Sequence, residues 1–167
     1  NTFRDVSNIP SDYHLMIEEP SRIIENFQIS HGDRLTIHQE CCRNLHRDLI
    51  KIRAMGALVG VALCPATPLQ TLNYIIEDID QITIMTVNPG YSGQKLVPQT
   101  INKIIELKRW IVENELNIKI QVDGNVSYEN MPKMVAAGAD VLVGGSSGLF
   151  RKDIELRDSI AKIRKCI

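Results

Sequence analysis

Apolar residues along the chain fall into two alternating rhythms. Short runs of β-branched and apolar residues, such as 58–65 (LVGVALCP) and 82–87 (ITIMTV), suit strands buried on both faces. Between them lie longer runs with an apolar residue every three or four positions. In 42–56, Leu45, Leu49, Ile52 and Met55 share one helical face and Gly56 ends the run. Strand-like segments at 12–17, 34–40, 58–65, 82–87, 118–124 and 139–145 each lead into a helix-like one. The helix-like segments are 21–29, 42–56, 68–79, 97–116, 127–138 and 153–167. Pro20 and Ser21 suit the first helix start, Ser127 or Tyr128 the fifth, and Gly138 follows that helix's end. Six strand–helix units without a composition shift predict one domain, residues 1–167. Its fold class is α/β, a parallel sheet covered by helices, as a (β/α) barrel or a doubly wound sheet.

Either architecture places ligand chemistry in the loops after the strand C-terminal ends. Three of those ends are small or turn-forming: Asn88-Pro89-Gly90, Asp123-Gly124-Asn125 and Gly144-Gly145-Ser146-Ser147. The first continues into Tyr91-Ser92-Gly93, and glycines of this kind let backbone N–H groups approach an anion. With the short segment 146–150 behind the last strand, these loops read as the phosphate cup of a (β/α)8 barrel. A doubly wound sheet would need a glycine fingerprint after its first strand, where the sequence is HLMIEEP.

Composition narrows the partners. Among 167 residues, 44% are hydrophobic and 23% charged, with a formal net charge of −1. That balance predicts neither a nucleic-acid surface nor a polybasic membrane patch, and no apolar run is long enough for a membrane span. Cys41, Cys42, Cys64 and Cys166 form no CxxC pair and read as reduced thiols of a cytoplasmic protein. The chain opens without Met or a signal-peptide pattern and enters a strand early, as expected of a processed or longer protein.

Five segments, HLMIEEP, GVALCPATPLQTL, MTVNPGYSGQK, VDGNVSYEN and AAGADVLVGGSSGLF, together resemble the ribulose-phosphate 3-epimerase family, in the family's order. The resemblance implies a (β/α)8 TIM-type barrel, with these six units matching its third to eighth. The first two units, which in the family carry a serine, a metal-binding histidine and an acid/base aspartate, have no counterpart. VDGN and GGSSGLF look more like the hexulose-phosphate branch, such as allulose-6-phosphate 3-epimerase. By resemblance, His14 and Asp123 are metal ligands, Asp123 exchanges a proton, and Met16 and Met85 line the substrate. Gly90, Tyr91, Ser92 and Gly93, then Gly124 with Asn125, and Gly145, Ser146 and Ser147 match the substrate and phosphate loops. The implied cofactor is a divalent ion (Zn, Mn, Fe, Co or Mg), the implied partners a phosphorylated ketose and further copies of the chain.

The implied reaction asks for such residues on chemical grounds. Epimerisation beside a ketone takes a proton from carbon and returns one on the opposite face, so it needs two acid/base groups and stabilisation of an enediolate. Asp123 serves one face. Glu40 is the nearest other carboxylate, and its expected role is structural, as is that of His38. With one matched acid/base group and two matched ligands, the 167-residue chain alone is expected to epimerise little. Two other readings compete: a non-catalytic module that keeps the phosphate cup, and another phosphate-binding barrel enzyme such as a decarboxylase or synthase. The latter would require a strand-end lysine, and none of the strand ends quoted has one.

Overall fold

The computed structural model describes residues 6–167; the first five residues of the N-terminal reading lie outside it. Six parallel strands form one sheet in sequence order: β1 (Asp12–Leu15), β2 (Arg34–His38), β3 (Leu58–Leu63), β4 (Gln81–Met85), β5 (Lys119–Asp123) and β6 (Val141–Leu142). Four α-helices are present among the described residues: α1 (Leu45–Ala54), α2 (Gln99–Glu113), α3 (Met131–Ala137) and α4 (Leu156–Cys166). The sheet is an open partial barrel of the (β/α) type, with β1 and β6 at its edges. The doubly wound alternative is excluded, because neighbouring strands follow one another without a reversal of order.

Strand periodicity separates two environments. Leu35, Ile37, Val59, Val61, Leu63, Ile82, Ile84, Ile120 and Val122 face the helices and are essentially fully buried. They meet Leu49 and Ile52 of α1, Ile104 and Leu107 of α2, and Met131 and Met134 of α3. The intervening positions face the concave side and are polar or small: Thr36 and His38, Gly60 and Ala62, Gln81 and Thr83, Gln121 and Asp123. At the lower end, Gln81 Nε2 donates to Gln121 Oε1 at 2.8 Å and to Asp12 Oδ2 at 3.4 Å. Gly60 is required there, since a Cβ would stand 2.0 Å from Thr36 Oγ1.

Two expected helices are only pairs of 3₁₀ turns, Pro20–Arg22 with Ile24–Asn26 and Leu69–Leu72 with Ile76–Asp78. Each pair is interrupted by a β-branched residue outside the helical region, Ile23 at φ −126° and Ile75 at φ −134°. Tight winding still turns Leu69, Leu72, Ile76 and Ile79 into the core, so the apolar spacing was met without an α-helix. The last strand is shorter than expected, and 146–150 forms turns rather than a helix, with Gly148 N–H and Phe150 N–H both donating to Gly145 O. Gly148 packs so closely that a Cβ would lie 2.3 Å from Val126 O.

Candidate active site

A cavity of about 810 Å³ opens at the C-terminal ends of the strands. It is lined by Met16, Met85, Asp123, Gly124, Asn125, the whole 90–93 loop, and Gly145 to Ser147. All three glycine-bearing loops singled out in the sequence therefore meet at one cavity. His14, on the same face of the sheet, reaches the lining residues Asp123 and His38. Met85 is 2% exposed and pairs in register with Asp123, whereas Met16 is half exposed at the rim.

Local conformation explains the loop chemistry. Gly90, Gly93 and Gly124 have φ of 131°, 85° and 114°, a region that favours glycine. Gln94 Nε2 donates to Tyr91 O at 3.0 Å and also to Asn88 O, folding the 88–94 loop back on itself. Asn125 Nδ2 donates to Gln94 O at 2.7 Å, and Asn130 Nδ2 donates to Asn125 Oδ1 at 2.6 Å. The Asn125 side chain thus ties two of the loops together. Its φ is 45°, which asparagine tolerates and glycine adopts freely. Asparagine at position 125 thus satisfies both the backbone conformation and the contacts between the loops.

On the concave face, His14 Nδ1 stands 3.4 Å from Asp123 Oδ2. On its other side, His14 Nε2 lies 2.9 Å from His38 Nε2. The ring centroids are 5.0 Å apart and the planes 18° apart, close to the largest separation such a contact permits. The imidazoles therefore meet end to end rather than face to face. His38 is 2% exposed, and its Nδ1 lies 3.4 Å from Glu40 Oε2 and 3.7 Å from Cys64 Sγ. Glu40 Oε1 accepts from Cys64 N–H at 2.8 Å and from the Thr67 hydroxyl.

Burial would raise the Glu40 pKa, but hydrogen bonds from His38, Thr67 and the Cys64 N–H prevail and hold it down at about 2. A carboxylate so firmly ionised is a poor proton carrier near neutrality. Because the folded value lies below the ordinary one near 4.5, the stabilisation is present above that pH and is lost as pH falls towards about 2. The Tm of the parent is expected to fall more between pH 6 and pH 3 than that of Glu40→Gln, and equal falls would contradict the assignment. Burial pushes the Cys64 thiol up to about 11, helped by the Glu40 charge, and Cys42 up to about 12, helped by Asp48. All four cysteines are free.

His38, Glu40 and Cys64 offer ligand atoms within 4.8 Å of one another and could also hold a metal ion. Their grouping was not read from the sequence, although His38 and Glu40 stand at one strand end and Cys64 at the next. His14 and Asp123 suit an ion as well. Their 3.4 Å separation matches one edge of a tetrahedron with bonds of about 2.1 Å, and imidazole plus carboxylate suits Zn, Mn or Fe.

Fold and site together define a (β/α)-barrel protein whose concave face joins titratable groups to glycine-rich loops at the strand ends. Residues 1–150 match the ribulose-phosphate 3 epimerase family, and the chain belongs to that family. It is 41% identical over 162 residues to the ribulose-phosphate 3-epimerase of Bacillus subtilis, spanning 96% of this chain and 74% of that protein. The Methanocaldococcus jannaschii ribulose-phosphate 3-epimerase is 39% identical over 162 residues, 97% of this chain and 68% of its own. The chloroplastic ribulose-5-phosphate-3-epimerase of Arabidopsis thaliana is 37% identical over 155 residues, 92% of this chain and 55% of its own. No helix among the described residues is long and apolar enough to cross a membrane.

Proposed function

We propose that this chain forms the larger part of a metal-dependent 3-epimerase of a phosphorylated ketose, ribulose 5-phosphate with xylulose 5-phosphate or allulose 6-phosphate with fructose 6-phosphate. The observation that carries this reading is the 3.4 Å approach of His14 Nδ1 to Asp123 Oδ2, which lines a cavity walled by the glycine-rich loops. In it, Gly90 to Gly93 and Gly145 to Ser147 bind the phosphate with backbone N–H groups and the Ser146 and Ser147 hydroxyls. Met16 and Met85 bound the sugar carbons with apolar surface. His14 and Asp123 hold the divalent ion, which when bound supplies Lewis-acid stabilisation of an enediolate. Asp123 accepts the C3 proton, and the C–H electron pair forms the C2–C3 double bond as the C2 carbonyl π pair moves onto its oxygen. When that pair returns, C3 takes a proton from a second acid on the opposite face. Glu40 does not serve that second face, since its oxygens are engaged by His38, Thr67 and Cys64.

The test is solvent deuterium incorporation at C3, measured on the chain alone and on the chain joined to the part of the Bacillus subtilis relative that it does not match. Incorporation from ribulose 5-phosphate or allulose 6-phosphate in the completed barrel, abolished by chelation of divalent metal, is expected. The chain alone should be slow. The ratio of the two substrates ranks pentulose against hexulose. No incorporation from either, with a folded completed barrel, would reject the reading.

A further inference from the structure

Asp123, His14, His38 and Glu40 form one continuous contact series along the cavity, with successive spacings of 3.4, 2.9 and 3.4 Å. Its middle contact joins nitrogen to nitrogen, so one ring must donate there and the other accept. This couples the tautomers of the two imidazoles. If His14 carries the central proton on Nε2, its Nδ1 is a bare lone pair beside Asp123, and His38 carries its own proton on Nδ1, facing Glu40. If His38 donates instead, its Nδ1 becomes the bare nitrogen beside Glu40 and Cys64, while His14 Nδ1 bears hydrogen and cannot ligate.

We propose that Glu40, acting through His38, is a positioning residue that selects the metal-ligating tautomer of His14. By accepting the Nδ1–H of His38, the carboxylate leaves His38 Nε2 as an acceptor, makes His14 Nε2 the donor, and frees His14 Nδ1 towards Asp123. A carboxylate behind a ligating histidine commonly orients it directly; here a second, buried imidazole is interposed. The same coupling makes the group of His38, Glu40 and Cys64 a competitor of His14 and Asp123 for an ion, because each requires the opposite tautomer. The inference rests on the assignment of His14 and Asp123 as ligands.

Glu40→Gln is a near-isosteric probe whose direction the structure dictates. Cys64 N–H and the Thr67 hydroxyl both donate to Oε1, so the glutamine oxygen stays there and its amide nitrogen faces His38 Nδ1. That NH₂ donates, which forces the opposite tautomer. In ¹⁵N-labelled protein at the Zn²⁺ concentration that just saturates the parent, imidazole ¹H–¹⁵N correlations should show His38 protonated on Nδ1 in the parent and on Nε2 in Glu40→Gln, where Asp123 and the glutamine amide favour the same tautomer. Zn²⁺ affinity, from competition with a chromophoric chelator, should fall about 10–100-fold in Glu40→Gln and stay within about twofold in Thr67→Val and Cys64→Ser. Thr67→Val loosens the same turn but keeps the carboxylate, so an equal loss there would reduce Glu40 to a structural brace and overturn the proposal. An unchanged His38 tautomer or an unchanged affinity in Glu40→Gln would also overturn it. So would a Cys64→Ser loss with thiolate-to-Co²⁺ absorption in the cobalt-loaded parent, since the ion would then sit on Cys64. Zn²⁺ affinity insensitive to both His14→Ala and Asp123→Asn would reject the ligand assignment instead, an outcome distinct from an unchanged affinity in Glu40→Gln alone.

Discussion

Asp123→Asn should abolish C3 proton exchange in the completed barrel while leaving the chain folded. The proposed proton-transfer role alone would be worth about 10²–10⁴-fold in rate, and the same substitution would remove a proposed metal ligand, so the two losses would compound. Folding should be little affected, because the local structure is held through the backbone: Thr86 N–H donates to Asp123 O at 2.8 Å and Thr86 Oγ1 to the same oxygen at 3.1 Å. The Asp123 side chain touches only His14 among the contacts described above. Deuterium incorporation and the thermal transition, measured on the same sample, separate the two effects. Full exchange in Asp123→Asn would sink the proposed mechanism, whereas an unfolded variant would show that the carboxylate is structural.

Gly124→Ala should be the most damaging single-methyl change at the site. Glycine 124 holds φ at 114°, and an added Cβ would lie 2.5 Å from Val87 Cγ2 and 2.9 Å from Val87 N. The second contact is with backbone, so no rotamer change relieves it. Left-handed backbone costs a non-glycine residue about 1–2 kcal/mol and overpacking about 1–3 kcal/mol. A stability loss of roughly 2–5 kcal/mol is therefore expected in denaturant unfolding. Because residue 124 connects Asp123 to the Asn125–Gln94 link, substrate binding should weaken even below the unfolding transition. By comparison, Gly90→Ala meets no atom within 4 Å and should show only the conformational part of the cost. Equal effects at the two positions would mean that steric contact with Val87 is not what constrains this turn.

The contrast between strands and connecting segments shows why some elements were legible and others were not. Strands β2 to β5 were read within a residue or two, because short runs of β-branched and apolar residues suit buried extended chain. Helices α1 and α2 were read to within three residues at each end, α1 from the Leu45-Leu49-Ile52 face. Segments 21–29 and 68–79 carry the same three- and four-residue spacings yet wind as 3₁₀ turns. Apolar spacing does not distinguish i→i+3 from i→i+4 bonding when only two turns must fit between strands. Segment 146–150 closes on Gly145 O, with Gly148 packed against Val126.

For the site, local chemistry by itself determined which loops could approach an anion, since Gly90, Gly93 and Gly124 adopt the positive φ their residue type permits. It also determined that strand ends would carry the titratable groups, because alternate residues of a parallel strand must face the concave side. Tertiary structure alone decided which of those groups meet. His14 and Asp123 are 109 residues apart in sequence and come within 3.4 Å only because β1 and β5 curve towards each other across the open barrel. His38 looked like a structural residue at a strand end, and Glu40 like a spare carboxylate. The register of β1, β2 and β3 is what sets His38 between His14 on one side and Glu40 with Cys64 on the other. Side-chain period is a property of each strand, whereas register and curvature arise from the pairing of all six, and contacts across the concave face depend on both.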